Sequence, residues 1–89
     1  MNRYVVSGDA ACAVVEDGAV VLNMRTKRYY SLNETGAAIW RLLEDDVPVP
    51  EIVAQLIQRY EVEPAAADRA VAALLADLTS EALVSLEPA

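Results

Sequence analysis

The pattern of apolar and polar residues changes near Asn33, from strand-like runs before this residue to helical spacing after it. β-branched runs occupy residues 11–16 and 19–24, and residues 28–32 are rich in aromatic side chains, which favours strands. From residue 34 onward the apolar residues recur at intervals of three and four. The pattern therefore predicts an α+β fold in which the strands precede the helices.

Asp17-Gly18 separates the two β-branched runs and predicts a tight hairpin, because both central residues of such a turn need positive φ. A third strand, Arg28 to Leu32, follows a second turn and completes an antiparallel meander. No later segment of the sequence predicts a strong strand, so the third strand should keep an open edge. The pairs that a two-residue loop would form are Glu16 with Ala19, Val14 with Val21 and Cys12 with Asn23.

Alternation along the third strand places Tyr30 and Leu32 with Arg28 on one face of the sheet, and Tyr29 and Ser31 on the other. Tyr30 is therefore expected to anchor the fold together with Leu32. Taken by itself, the tyrosine pair is compatible with recognition or with sheet packing. The basic cluster at residues 25–28 fits an acidic partner or protection of the open edge against aggregation.

Three helices are predicted between residues 34 and 80. The first spans 34–44, with Asn33 as its N-cap and Trp40 on its core-facing side. The second runs from about Pro50 to Arg59 and the third from Pro64 to Ser80. The third helix carries one stripe typical of a core and a second stripe suited to a core edge or a groove wall. These stripes are Ala67, Val71, Leu74 and Leu78, and Asp68, Ala72, Leu75 and Thr79.

The 89 residues fit one domain spanning residues 1–89. We expect a lead-in over residues 1–10, the meander over 11–32, the three-helix part over 33–80 and a tail over 81–89. A three-stranded antiparallel β-meander followed by three α-helices corresponds to a winged helix-turn-helix-like fold.

The residue types argue against an enzyme. The chain has no histidine and a single cysteine, Cys12, which excludes a histidine-assisted nucleophile and leaves carboxylates as the metal ligands. The acidic residues 44–46 lack the ligand spacing and the turn glycine of a cation-binding loop. We therefore predict no catalytic residue, metal or cofactor, and we expect Cys12 to be a buried, inert thiol.

The net charge of −7 is concentrated in the helical part, where residues 42–89 carry two basic and ten acidic side chains. Such a surface repels phosphate backbones, so a nucleic-acid partner is not expected. The longest apolar run, Ala70 to Ala76, is too short to cross a bilayer, and residues 1–4 do not resemble a signal peptide. We therefore expect a soluble cytoplasmic protein without a membrane partner.

A family resemblance is carried by residues 29–40, which read Tyr29-Tyr30-Ser31-Leu32-Asn33-Glu34-Thr35-Gly36-Ala37-Ala38-Ile39-Trp40. From about Cys12 to Val84 the chain resembles the PqqD-like proteins, the precursor-peptide recognition elements used to make ribosomally synthesised, modified peptides (RiPPs). The Arg28-Tyr29-Tyr30 sequence is most similar to the stand-alone leader-binding proteins of lasso-peptide biosynthesis. Asp45-Asp46 and Ala82 stand where this family often has glycine. Flanking segments that also fit the family are Asp17 to Asn23, Pro50 to Val53, Leu56, Tyr60, Asp68, Leu74, Leu75, Leu78 and Leu83-Val84.

The resemblance implies a non-catalytic adaptor for a precursor peptide. The leader segment would add as a strand to the third strand, in a groove against the third helix. The adaptor would present it to a separate cysteine-protease-like leader peptidase or another modifying enzyme. The peptide-binding residues implied in this way are Arg28, Tyr29, Tyr30, Ser31, Leu32, Asp68, Val71, Ala72 and Leu75.

Three other functions remain compatible with the sequence. An acidic winged-helix DNA-binding regulator would give a steeply salt-dependent mobility shift. A dimerisation module would pair the open edge with a second copy and would not be dissociated by a leader peptide. Within the family, a PqqD-like chaperone would serve a radical-SAM enzyme.

Overall fold

The computed structural model describes residues 2–88, within which the chain forms five strands and three helices. The strands β2, β3 and β4 form an antiparallel sheet in sequence order, and the helices follow. The predicted α+β arrangement of a meander followed by three helices is therefore confirmed. The elements are β1 Asn2–Val6, β2 Ala10–Val15, β3 Gly18–Asn23, β4 Arg28–Asn33, α1 Glu34–Glu44, α2 Val49–Tyr60, α3 Pro64–Ser80 and β5 Val84–Pro88.

The segments expected as a lead-in and a tail contain two strands that pair with each other. β1 and β5 form a separate antiparallel ribbon, in which Val6 lies opposite Val84. The Ser7 N–H donates to the Leu83 carbonyl at 2.9 Å and continues this pairing. Because β5 pairs with β1 and not with β4, β4 has β3 as its strand neighbour and keeps its other edge open within residues 2–88.

The β2–β3 hairpin forms, but its predicted register is wrong. The loop consists of Glu16-Asp17, and Gly18 is already the first residue of β3. Gly18 has φ +156°, and a Cβ at this position would overlap the carbonyl oxygen of Leu32 in β4. The glycine is therefore needed inside the sheet and not in the turn. The observed pairs are Val15–Gly18, Val14–Ala19, Cys12–Val21 and Ala10–Asn23, in place of Glu16–Ala19, Val14–Val21 and Cys12–Asn23.

α1 begins directly where β4 ends, with the bounds that the sequence predicts. The Asn33 side chain accepts a hydrogen bond from the Gly36 N–H at 2.8 Å and caps the helix. A Cβ on Gly36 would lie 3.2 Å from the Leu32 side chain, so the glycine lets the helix start approach the sheet closely. α3 also has the predicted bounds, and α2 extends one residue further at each end than predicted.

The core lies between one face of the β2–β3–β4 sheet and the helices. Trp40, expected in the core, is buried, although its Nε1–H finds no acceptor within residues 2–88. Cys12 is exposed, so its predicted burial is wrong: β2 lies at the sheet edge, where α1 and the end of α2 cover it only in part. The buried apolar residues are Ala19, Val21, Leu32, Ile39, Trp40, Leu43, Ile52, Leu56, Ala67, Val71, Leu75, Leu78, Leu83 and Val84.

Candidate functional site

The open edge of β4 presents backbone groups that β3 does not use. The Met24 N–H donates to the Asp9 carbonyl at 2.8 Å. The backbone N–H and C=O groups of even-numbered residues at this end of β3 therefore point toward β2. The backbone groups of odd-numbered residues of β3 point toward β4, and these residues lie opposite the even-numbered residues of β4. It follows that the N–H and C=O groups of Tyr29 and Ser31, and the N–H of Asn33, face away from β3 along the open edge. The Asn33 carbonyl accepts the first hydrogen bond of α1.

The side chains of β4 alternate between the two faces of the sheet as the sequence predicts. Leu32 is buried and Tyr30 is half-buried on the face that the helices cover. Tyr29 is 71% exposed on the opposite face, together with the exposed Ser31. Tyr30 and Leu32 thus hold the strand on the core, and the strand's backbone is left accessible.

Two side-chain contacts join β4 to the last turn of α3 and the residue that follows it. The Tyr30 hydroxyl donates to the Asp77 carboxylate at 2.9 Å, and Arg28 forms an ion pair with Glu81 at 3.2 Å. Partial burial raises the pKa of the Tyr30 phenol, and the hydrogen bond to Asp77 and the charges of Asp77 and Glu81 raise it further. Sequence reasoning did not identify Asp77 or Glu81, although their spacing of four residues places them on one side of a helix.

The same junction is fixed by Asn23, the buried polar residue at the end of β3. Its side-chain amide donates to the carbonyls of Glu81 and Ala82, at 3.1 and 3.4 Å. Its side-chain oxygen accepts from the N–H groups of Arg25 and Thr26, which shapes the β3–β4 turn. One residue therefore connects that turn to the C-terminal end of α3.

The contacts define how β4 and α3 run beside each other. Two residues along a strand and four along a helix cover similar lengths, about 6.6 and about 6.0 Å. The pairs Arg28–Glu81 and Tyr30–Asp77 follow this spacing, so β4 and α3 run in opposite directions. Continuing the spacing places Leu32 roughly level with Ala73, which adjoins the half-buried Leu74.

The predicted α3 residues fall on two different sides of the helix. Val71 and Leu75 are buried in the core, whereas Asp68 and Ala72 are exposed. At 3.6 residues per turn, Asp68 lies about 180° and Ala72 about 140° around the helix axis from Asp77. The structure therefore does not bring Asp68 and Ala72 to the side of α3 that meets β4. On that side, Ala70 lies about 20° and Leu74 about 60° from Asp77.

The backbones of β4 and α3 are not closely packed, since long side chains bridge them. The side-chain contacts place α3 beside β4, the strand with the open edge. A separate cavity of about 380 Å³ lies at the other edge of the sheet, where Cys12 and Val14 face α1 and the end of α2. Burial raises the pKa of the Cys12 thiol, and the nearby Glu44 adds to this effect while Arg41 opposes it.

Residues 2–88 contain no cluster of three or more metal-ligating side chains. In the same part of the chain, no helix combines the length and the apolar character that crossing a membrane requires.

Comparison with known proteins places the chain in a family. Residues 18–84 match the family described as coenzyme PQQ synthesis protein D (PqqD), so the chain belongs to the PqqD family. The matched residues include β3, β4 and all three helices, and they exclude β2. The family that the sequence resembles is thereby confirmed. A search of curated proteins gave no match.

Two similar solved structures are complexes with leader peptides. One is described as TbiB1 in complex with the TbiA(beta) leader peptide, with a TM-score of 0.86 and 28% identity over 91% of this chain and 94% of that chain. The other is a lasso peptide synthetase B1 complexed with the leader peptide, with a TM-score of 0.84 and 29% identity over 93% of this chain and 98% of that chain.

Proposed function

We propose that this protein is an adaptor that binds the leader segment of a ribosomally synthesised precursor peptide, in a pathway of the lasso-peptide type. The observation that carries the proposal is the open edge of β4 beside α3, where the N–H and C=O groups of Tyr29 and Ser31 and the N–H of Asn33 are not used by β3. The leader-peptide complexes of two proteins with the same fold support it.

The leader would bind by strand addition. Its backbone would pair with the open edge of β4, and its alternate side chains would point into the groove toward α3. Main-chain hydrogen bonds are shared by all sequences, so specificity would come from the groove. Arg28 and Tyr30 close one end of the groove through their contacts with α3, and the Leu32 side chain supports its floor.

The wall of the groove would be formed by Ala70, Leu74 and Asp77. This set replaces the part of the predicted site that relied on Asp68 and Ala72, which lie on another side of α3. Val71 and Leu75 keep a supporting role, because both are buried behind this wall. Arg28 balances the charge of Glu81, so the Asp77 carboxylate is the negative group at this end of the groove and suits a leader segment with a basic or hydrogen-bond-donating side chain there.

The adaptor would have no catalytic step of its own. It would hold the leader in an extended conformation and present the precursor to a separate cysteine-protease-like leader peptidase or another modifying enzyme. Preorganisation of the β4 edge by the Tyr30 and Asn23 contacts would lower the conformational entropy lost on binding.

The proposal is tested by titrating the fluorescently labelled leader of the precursor encoded beside this protein's gene. We expect saturable binding, measured by fluorescence anisotropy, with one leader per protein. Absence of binding to protein that is folded by circular dichroism would overturn the proposed function.

Two alanines of α3 form a matched pair for testing the wall of the groove. Both Ala70 and Ala72 are exposed, so glutamate is sterically tolerated at either position in the free protein. Ala70→Glu should weaken leader binding about tenfold, because it adds bulk and charge to the wall, whereas Ala72→Glu should change it less than about twofold. A larger effect of Ala72→Glu would favour the side of α3 that carries Asp68.

A further inference from the structure

The face of the β2–β3–β4 sheet that points away from the helices is largely apolar, with Ser31 as a polar residue at the β4 edge. Cross-strand register places Ala11 beside Leu22 and Tyr29, and Ala13 beside Val20 and Ser31. Val15 is 49% and Leu22 is 38% exposed. Antiparallel sheets with one solvated face usually carry polar residues there. We define the outer face as Ala11, Ala13, Val15, Val20, Leu22 and Tyr29.

Charge is confined to the two ends of this outer face. The β2–β3 turn at one end is acidic, with Glu16 and Asp17. The β3–β4 turn at the other end is basic, with Lys27 and with Arg25, which lies 3.9 Å from the Asp9 carboxylate. A partner that covered the face would therefore need an apolar centre, with basic groups opposite the first turn and acidic groups opposite the second.

The size of the outer face favours a transient contact. Three strands about 4.8 Å apart and about 20 Å long give an area of roughly 300 Å². A stable protein–protein interface needs about 800 Å² on each partner, so this face alone is too small for a permanent dimer of the protein. It has the size of a surface that is often functional on small proteins.

The outer face is continuous with the proposed leader site, because Tyr29 belongs to both. A leader strand added to β4 would place every second side chain on the outer face and would enlarge it by roughly 100 Å². The enlarged surface would contain residues of the adaptor and of the precursor side by side. A partner that contacts it would thus distinguish the loaded adaptor from the empty one.

We propose that the outer face, completed by the bound leader, is the docking surface for the enzyme that processes the precursor. This inference rests on the proposed function. The enzyme approaches from the side of the sheet opposite the helices. It binds the complex of adaptor and leader more tightly than the free adaptor.

The test uses the purified leader peptidase encoded with the same precursor and measures its affinity for the full chain by biolayer interferometry, with and without saturating leader. Leu22→Lys and Val15→Lys place a charge on the outer face, away from the open edge of β4. Val62→Lys is the matched control, because Val62 has the same 38% exposure as Leu22 but lies between α2 and α3.

We expect saturating leader to strengthen peptidase binding to the wild-type chain. Each outer-face variant should weaken that binding about tenfold or more, while leader affinity stays within about twofold and Val62→Lys behaves like wild type. Unchanged peptidase binding in both outer-face variants, or no effect of leader on the wild type, would overturn the inference. A wild-type dimer in sedimentation that Leu22→Lys dissociates would also overturn it, in favour of a second copy. Absence of leader binding to the wild-type protein would instead refute the proposed function. The anisotropy titration measures leader binding independently of the peptidase.

Discussion

The β2–β3–β4 sheet has two outer edges that differ in their surroundings more than in their backbones. Within residues 2–88 both edges present alternate N–H and C=O groups without a strand partner, at Tyr29 and Ser31 on β4 and at Cys12 and Val14 on β2. The β4 edge is bridged to α3 by hydrogen bonds and an ion pair, whereas β2 borders a cavity beside α1. The residues matched by the PqqD family include β4 and exclude β2. Both edges have a helix nearby, so the direct side-chain contacts with α3 and the family match distinguish the β4 edge as the candidate site.

Proline substitution at matched positions gives the largest expected contrast between the two edges. Ser31→Pro removes an N–H from the β4 edge, and Cys12→Pro does the same at the β2 edge. Ser31→Pro should weaken leader binding about a hundredfold, since one peptide carbonyl loses its partner and the ring obstructs pairing. Anisotropy titration should show that Cys12→Pro binds like wild type, and that Ser31→Ala, which keeps the N–H, binds nearly as well.

The opposite result, loss of binding in Cys12→Pro alone, would move the site to the β2 edge and the adjacent cavity. Circular dichroism and the fluorescence of Trp40, the single tryptophan of the chain, provide the control for folding of each variant.

Removal of the Asn23 side chain should separate the β4 edge from α3. Asn23→Ala deletes the hydrogen bonds to Glu81, Ala82, Arg25 and Thr26 and leaves buried backbone groups without partners. We expect the free energy of unfolding to fall by about 2 kcal/mol, measured by urea denaturation. The control is Ser31→Ala, at an exposed position, which should change it by less than about 0.5 kcal/mol. Equal stabilities of the two variants would show that Asn23 does not hold this junction.

Ala82 lies at the same junction and has φ +58°, a left-handed conformation that is unfavourable for alanine. Ala82→Gly should therefore raise the free energy of unfolding by about 1 kcal/mol, because glycine adopts this conformation without the steric cost. Asp46→Gly offers a comparison at φ +60°, where the gain should be smaller since aspartate tolerates this region better and the ion pair with Arg3 is lost. Destabilisation by Ala82→Gly would contradict the assigned backbone conformation.

Removal of the hydrogen bond between Tyr30 and Asp77 should have the smallest effect, a change in how the free energy of unfolding depends on alkaline pH. The pKa of Tyr30 is raised in the folded protein, so the folded state holds its proton more tightly than the unfolded chain. The resulting stabilisation is fully present below the unfolded pKa of about 10 and is lost as the pH rises through the folded pKa. Tyr30→Phe should therefore lose stability less steeply between pH 9 and 11. Tyr29→Phe is the control, since Tyr29 is exposed on the other face. Identical pH profiles of wild type and Tyr30→Phe would argue against this hydrogen bond.

Local signals in the sequence predict the elements well, and contacts between distant residues account for the errors. Asn33 caps α1 directly after β4, so the boundary between the two elements is encoded within a few residues. The β2–β3 register differs from the predicted one because Gly18 lies against the carbonyl of Leu32, 14 positions away, where a Cβ does not fit. β1 and β5 pair across nearly the whole chain, and neither strand has a strong pattern of its own.

The candidate site divides in the same way. The alternation of side chains along β4 follows from the period of two in a strand, so the faces of Tyr29 and Tyr30 could be predicted. Which residues form the wall of the groove depends on the rotation of α3 about its axis. The sequence does not fix this rotation, because α3 has small apolar residues on several sides. The sequence does not indicate whether Ala70 or Ala72 lies on the side of α3 that meets β4. The contact of Asp77 with Tyr30 identifies that side as the one that carries Ala70.

The β1–β5 ribbon has a consequence for the topology of the chain as a polymer. Because Asn2 lies opposite Pro88, these two residues are neighbours in space. A short peptide linker could join them into a covalent ring without stretching either strand, and ring closure would reduce the entropy of the unfolded chain. New ends could then be opened at residues 61–63, between α2 and α3, as in a circular permutant. Both edges of the β2–β3–β4 sheet would keep their present connections in such a molecule.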